Sequence, residues 1–386
     1  MPPLTIVQLL SHSAVTRGGA VQGLLLARGL QERGHRVITF FHRVHSTNPR
    51  TPLAGVSSPV EVSTLDIRGI DMRHPLSYLR FRRWLQGEQV DVVHGHRNLA
   101  LLFGHFTCLG RKRPILLGNR GAIGPVSHPL VRHALRSPRL AHIIAVADAV
   151  KSYLVREVDL PPGKISVVYG SFDEGRFVPH RDPASVRRAL GLSSDGPFIV
   201  CVAALEPRKG IEHLLAAAAQ LLPEFPSLTL WVVGNIEDSP YRRSLEPLLE
   251  RFTLTRHVTF TGHRDDVPLV LAAADLAISA SLEEGFPGAL RESLAMGVPV
   301  VGTAAGGTPE LIRAGENGWV VAPGDIQALA DAMGEALRHP EEARRRAARG
   351  RELMLRCCTT VTRSREIERV YRSLLDPRPP GSDRKD

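Results

Sequence analysis

Short apolar runs rich in Val and Ile alternate along this chain with stretches whose apolar positions recur at helical spacing. That alternation is the sequence form of a parallel sheet covered by helices on both faces, so the fold predicted is α/β. The opening residues show one full unit: a strand over LTIVQLL (4–10), a loop at SHSAVTRGG, a helix over AVQGLLLARGLQERG and a strand over HRVITFF. Further strands are predicted over VDVVHG (90–95), PILLGN (114–119), HIIAVA (142–147) and ISVVYG (165–170). The pattern breaks at RFVPHRDPAS, where Pro179 and Pro183 flank charged residues. A second series then begins with PFIVCVAAL (197–205), a helix over 211–222, TLWVVG (229–234), HVTFTG (257–262), DLAISAS (275–281), PVVGT (299–303) and WVVAP (319–323).

The expectation is therefore two Rossmann-like, doubly wound domains facing across a cleft, the first over residues 1–178 and the second over 179–361. Ile367, Val370, Tyr371 and Leu374 recur at helical spacing and predict a closing helix over 362–376 that crosses back to the first domain. The remainder, PRPPGSDRKD (377–386), is too polar and proline-rich to bury a core and is expected to be disordered. Ligands of open α/β sheets bind beyond the carboxyl ends of the strands, so the chemistry is sought in the loops that follow them.

Composition narrows the class. Aromatics make up 5% and glycines number 34 in 386 residues, which suits many strand-to-helix turns. The net charge of +10 is lopsided: residues 1–180 hold 23 Lys and Arg against 11 Asp and Glu, and residues 181–386 hold 26 against 28. A basic first half matches an acidic lipid surface or an acidic glycan, or is a solvated arginine-rich surface. No recognition motif or interleaved aromatic platform points to nucleic acid. Cys108 and Cys201 stand alone and Cys357 and Cys358 are adjacent, so neither a disulfide framework nor zinc-ligand spacing is present, and a reducing, cytoplasmic setting is expected. The start MPPLTIVQLL reads directly as a strand, and no apolar run approaches the ~20 residues that span a bilayer. A soluble protein, or one held peripherally at the inner face of a membrane, follows.

The segment SLEEGFPGALRESLAMGVPVVGTAAGGTPELI (281–312) carries the most chemistry. A strand ends, a Gly/Pro turn runs over Gly285, Phe286, Pro287 and Gly288, and a helix follows to about Met296. The start of that helix offers unpaired amides and a positive dipole end to a diphosphate. Glu284 precedes the turn, and Glu292 lies one turn into the helix, where a carboxylate can accept two hydrogen bonds from the ribose 2′ and 3′ hydroxyls. Both glutamates also suit a helix start for electrostatic reasons alone. In ALEPRKGIEHLL (204–215), Arg208 and Lys209 stand just before a helix, where cations oppose the dipole; a bound anion explains them better than the alternative, a surface role. Gly306, Gly307, Thr308, Pro309 and Glu310 form either a tight strand-to-helix connection or a phosphate or sugar contact.

In the first half, Arg17, Gly18 and Gly19 close the loop after the first strand, and the glycines allow close backbone approach to a phosphate, though without the three-glycine dinucleotide pattern. His94 and His96 end a strand as His-Gly-His and are read as polar substrate contacts or as structural residues. No Asp-x-Asp metal motif occurs. RHPLSYLRFRRWLQ (73–86) fits a helix packed on the sheet with its arginines outward, or an interfacial membrane helix.

Together these segments resemble family 4 of the retaining glycosyltransferases, of GT-B architecture, from the Gly-Gly loop to Glu310. Glu284 and Glu292 in EGFPGALRE, with Arg208 and Lys209 ahead of them, carry the resemblance, and DVVHGH, AVADAVKSYL and KISVVYGSFDEGRF add to it. It implies that Arg208 and Lys209 stabilise the departing donor diphosphate, that Glu292 holds the ribose, and that Glu284 and the amides of Gly285 to Gly288 meet the donor sugar. It also implies a metal-free, cofactor-free transfer with retention, from a nucleotide sugar to a glycan, lipid-linked or small acceptor, as in cell-envelope polysaccharide synthesis. Two departures lie on the acceptor side: Asn119 and Arg120 stand where many members have a histidine, and Tyr169, Gly170 and Ser171 where Asn-Gly is usual. A catalytically silent nucleotide-sugar binder and a sugar-nucleotide epimerase are the alternatives.

Overall fold

The structure, a computed structural model, describes residues 2–12, 18–42, 66–180, 182–193, 196–234 and 240–376. Two compact units emerge: Met1–Ser171 with Thr360–Asp386, and Phe172–Thr359.

The first unit runs β1 (Thr5–Leu10), α1 (Gly18–Glu32), β2 (Arg36–His42), β3 (Asp66–Ile70), α2 (Pro75–Gly87), β4 (Val92–His96), α3 (Asn98–Cys108), β5 (Ile115–Arg120), α4 (Pro129–Arg136), β6 (Leu140–Ala145), α5 (Asp148–Val158) and β7 (Ile165–Val167). Its strands pair in parallel in the order β3-β2-β1-β4-β5-β6-β7. β3 was not expected from the sequence. DIRGI lies at the sheet edge with no fully buried residue, so it lacks the apolar run that marks an inner strand.

The second unit runs α6 (Pro183–Ala189), β8 (Phe198–Val202), α7 (Ile211–Leu221), β9 (Thr229–Val233), α8 (Pro240–Arg251), β10 (Val258–Gly262), α9 (Val267–Ala273), β11 (Leu276–Ser279), α10 (Gly288–Ala295), β12 (Val300–Thr303), α11 (Thr308–Leu311), β13 (Trp319–Val321), α12 (Ile326–Arg338) and α13 (Pro340–Cys357). These strands are parallel in the order β10-β9-β8-β11-β12-β13. Ile199, Leu214, Leu230 and Met333 lie at the centre of its core.

The chain enters the second unit at Phe172, ahead of the proline-marked break. Phe172 donates its amide to the Cys358 carbonyl at 3.0 Å, and the next turn closes on Asp173. Pro183 is instead the first residue of α6, whose Asp182 cap accepts from the Ser185 amide at 3.1 Å. The last helix, α14 (Thr360–Leu375), belongs to the first unit, with Ile367 and Tyr371 buried against Ile6, Leu30 and Val92. The expected disorder of 377–386 lies outside the described residues.

Helix α2 packs on the sheet: Phe81 and Leu85 are buried, and the Phe81 ring stands edge-on to Phe40 at 5.2 Å. Leu76, Leu79, Arg80 and Arg83 share the opposite, exposed stripe.

Candidate functional site

In the second unit the strand order reverses between β8 and β11, which opens a crevice beyond their carboxyl ends. The loops after β8, β11 and β12 meet there. Leu282 donates its amide to the Arg208 carbonyl at 2.8 Å, and Gly307 donates to the Gly285 carbonyl at 2.9 Å. Gly306 has φ 54°, and a Cβ on it would stand 2.0 Å from the Glu284 carbonyl oxygen. Only glycine lets those two loops close on each other. Thr308 caps this turn through its hydroxyl, which donates to the Ala305 carbonyl at 2.8 Å.

The fastened loops bring opposite charges together. Lys209, ending the short 3-10 turn Pro207–Lys209, places Nζ 2.5 Å from Oε1 of Glu284, with the two side chains 15% and 10% exposed. The Ser281 hydroxyl donates to the same carboxylate oxygen at 2.9 Å, and the Thr303 hydroxyl in turn donates to the Ser281 carbonyl. Cys201 of β8 lies near the pair; burial pushes its thiol up to about 12, with Lys209 and Glu284 as its charged neighbours. Arg208 is turned onto Glu206, Nε to Oε2 2.6 Å, and both side chains are nearly half exposed. Such an exposed pair contributes little, so a ligand anion can replace Glu206 at small cost.

Helix α10 begins at Gly288 with no side-chain cap, which leaves its first amides to a ligand. Glu292 is half-buried. Loss of water raises its pKa, while Arg291 and Arg176 lower it and Asp173 raises it. Of the four charged residues singled out in the sequence, the structure joins Lys209 and Glu284 side chain to side chain, and Arg208 is tied to the same loop through its carbonyl. Glu292 has its own electrostatic neighbourhood.

Three residues of the site went unnoticed in the sequence. Ser281 had a readable signal, a hydroxyl three residues before a glutamate. Thr303 and Arg291 had none. Arg291 is 3% exposed, with its guanidinium 5.6 Å from the centre of the Phe286 ring and its Nε unpaired.

The first unit also has a reversal, between β1 and β4, where Ser11 donates its hydroxyl to the His96 carbonyl at 3.2 Å. A Cβ on Gly19 would stand 2.4 Å from Nε2 of the buried His12, so the absence of a side chain there leaves room for the imidazole. Gly18 faces open space, and Arg17 lies outside the described residues. His94 corrects the expectation of a substrate contact: it is fully buried, and its Nδ1 lies 2.7 Å from the Tyr371 hydroxyl. Burial, aided by Arg363, lowers its pKa to about 3. His96 has its ring 4.5 Å from that of His94 and is held well below the usual range by burial and then by His94. Arg120 is also engaged within the fold, donating to the Ala122 carbonyl (2.9 Å), Asn98 Oδ1 (2.9 Å) and the Gly124 carbonyl (2.6 Å). Asn119 beside it has a buried Oδ1 with no hydrogen-bond partner.

Among the described residues no group of three or more His, Cys, Asp or Glu side chains is placed to hold a metal ion, and no helix is long and apolar enough to cross a membrane.

Residues 16–176 match the family model Glycosyltransferase Family 4, and residues 184–353 match Glycosyl transferases group 1. The GDP-mannose-dependent alpha-(1-6)-phosphatidylinositol monomannoside mannosyltransferase of Mycolicibacterium smegmatis is 34% identical over 74% of this chain and 79% of its own length. The N-acetyl-alpha-D-glucosaminyl L-malate synthase of Bacillus anthracis is 28% identical over 75% of this chain and 76% of its own. Among solved structures, Anabaena HepE, crystallised with UDP, superposes with a TM-score of 0.79 at 20% identity, covering 96% of this chain and all of that one.

Proposed function

The chain belongs to glycosyltransferase family 4, with the GT-B architecture, and from that premise we propose that it transfers a sugar with retention of anomeric configuration. The donor is a nucleotide sugar, and the acceptor is a hydroxyl of a glycan, a lipid-linked sugar or a small molecule of cell-envelope synthesis. The observation that carries this reading is the Lys209–Glu284 pair, held on interlocked loops at the reversal point of the second sheet.

In this reading the diphosphate lies on the uncapped start of α10, within reach of Lys209 and Arg208. As the bond from the anomeric carbon to the phosphate oxygen breaks, negative charge collects on that oxygen, and the two cations stabilise it without a metal or cofactor. Binding of the anion draws Lys209 partly off Glu284, which frees the carboxylate to accept hydrogen bonds from the donor sugar. Ser281 holds that carboxylate in place meanwhile. Glu292 accepts from the ribose hydroxyls and Asn119 serves the acceptor side, whereas His94 and Arg120 support the first unit. Of the relatives named above, one is GDP-mannose-dependent and one was crystallised with UDP, so either base is a candidate.

We further assign the exposed stripe Leu76, Leu79, Arg80 and Arg83 of α2 to peripheral contact with an anionic membrane, as apolar side chains between cations on a basic unit favour. Binding to anionic vesicles that weakens with salt and is lost in Leu79→Glu supports it; equal partition onto neutral vesicles defeats it.

The direct test incubates the full chain with a panel of UDP- and GDP-sugars and candidate acceptors. Nucleoside diphosphate release is followed together with the anomeric configuration of the product by NMR. Transfer with retention is expected. Binding without turnover would make the chain a silent subunit, an isomerised donor without acceptor would make it an epimerase, and an inverted product would remove the retaining assignment.

A further inference from the structure

Outside the donor loops, one cluster of nucleophilic side chains has no part in the transfer reaction. Cys357 ends α13 and Cys358 follows it, with the two sulfurs 3.4 Å apart. No disulfide joins them; both are free thiols. The two differ sharply in setting. Cys357 is half-buried, while Cys358 is fully buried. Cys358 also fixes the backbone at the unit boundary: its amide donates to the Met354 carbonyl at 2.9 Å and its carbonyl accepts from Phe172 at 3.0 Å. The two places where the chain passes from one unit to the other, after Ser171 and after Thr359, are thus linked through this residue.

We propose that Cys357 and Cys358 form a reversible oxidative modification site, closing to a vicinal disulfide in the presence of a peroxide. The electrons and atoms balance as follows. The Cys357 thiolate attacks one oxygen of the peroxide and breaks the O–O bond. Hydroxide leaves and is protonated to water, and the sulfur becomes a sulfenic acid. The Cys358 sulfur then attacks that sulfur and breaks the S–O bond, and its proton leaves with the hydroxide as a second water. Two thiols give up two electrons, and one peroxide yields two waters.

The surroundings assign the roles. The thiolate is the reacting form, and the Cys357 thiol is brought down to about 7, chiefly by the hydrogen bond from Cys358, against the opposing effect of burial and with help from Arg356 and Arg313. Hydrogen bonding to Cys357 and burial push the Cys358 thiol the other way, so Cys357 reacts first with the peroxide, and Cys358 gives up its proton to the departing hydroxide as it attacks the sulfenic acid. Cys108 and Cys201 are buried with raised thiols and are not adjacent to any second cysteine in sequence, so neither competes. Reversibility follows from chain geometry. Adjacent Cα atoms stand about 3.8 Å apart across a trans peptide, closer than the roughly 4.4 to 6.8 Å usual for a disulfide, so the bridge is strained and readily reduced. Closing the ring also turns the Cys358 carbonyl, which carries the bond to Phe172.

The experiment treats the reduced full-length chain with a small excess of hydrogen peroxide, alkylates it and digests it with trypsin. The peptide Cys357–Arg363 should lose the mass of two hydrogens and take up no alkylating agent, and dithiothreitol should restore two reactive thiols. Cys357 should oxidise at least about ten-fold faster than Cys108 or Cys201. In Cys358→Ser, a sulfenic acid on Cys357 should persist long enough for dimedone to trap it; in Cys357→Ser, no oxidation should occur at position 358. Equal reaction of all four cysteines, a disulfide between chains in place of the loop, or an unreactive peptide would each overturn the proposal. None of these readings uses the transfer reaction, so failure here and failure of the glycosyltransferase assignment are distinguishable.

Discussion

The two units share a topology and differ in what they put at its reversal point. Where β8 and β11 part, the second unit holds paired opposite charges, Lys209 on Glu284, with the half-exposed Arg208 on the same loops. Where β1 and β4 part, the first unit holds His12, His94 and His96, all buried. Burial keeps His94 and His96 neutral, and Tyr371 of α14 covers one of them. A parallel sheet therefore supplies the position of a crevice, and the loops decide whether it meets a charged ligand or is closed by the protein's own side chains.

The widest separation between the two is expected in turnover. Lys209→Ala should lower kcat by about a hundred-fold, because it removes the phosphate contact proposed above and leaves Glu284 without its cation. Arg120→Ala, in the first unit, should leave kcat within about two-fold while reducing stability by about 2 kcal/mol through its lost hydrogen bonds. Steady-state kinetics together with urea unfolding separate these outcomes, and a large kcat loss in Arg120→Ala would break the contrast. Glu292→Ala is next, with about a ten-fold loss in kcat/KM for the donor if it holds the ribose; unchanged donor kinetics in the folded variant would remove that role.

The pH dependence of stability is read on a separate scale, and the groups at the two reversal points push it in opposite directions. His94 and His96 have folded-state pKa values below the unfolded 6.5, so the unfolded chain binds more protons. Their contribution is complete above that pH and falls as pH drops, by up to about 1.4 kcal/mol per unit for each histidine. For His94 the loss levels off near pH 3. Glu292 is shifted upward instead, so its contribution grows as pH falls through its folded value. Hydrogen exchange at pH 7 and pH 5 should show β1 and β4 losing protection relative to β8 and β11, with the difference reduced in His94→Gln. Uniform loss in both sheets would contradict the assignment.

The legibility of the two units followed the same physics. Strands buried on both faces declared themselves through continuous Val and Ile runs, and β8, β9 and β11 emerged within a few residues of their expected ends. The edge strand β3 did not, since half of its surface needs no apolar cover. In the loops at the second reversal point Glu284 and Glu292 were readable because both flank one turn, and Lys209 because a cation before a helix is locally unfavourable. Arg176 and Asp173, which act on Glu292 from far off in the chain, left no local trace.

By itself the sequence determined the α/β class, the two-unit organisation and the family, and it singled out four charged residues in the loops at the second reversal point, because each rests on local periodicity or short spacing. Tertiary structure alone decided that Lys209 meets Glu284, that His94 serves the core under Tyr371, that Arg120 is engaged within its own unit, and that the chain changes units at Phe172. Those outcomes depend on which distant side chains come within about 3 Å of each other and on how much water they lose, and neither quantity is a property of neighbouring letters.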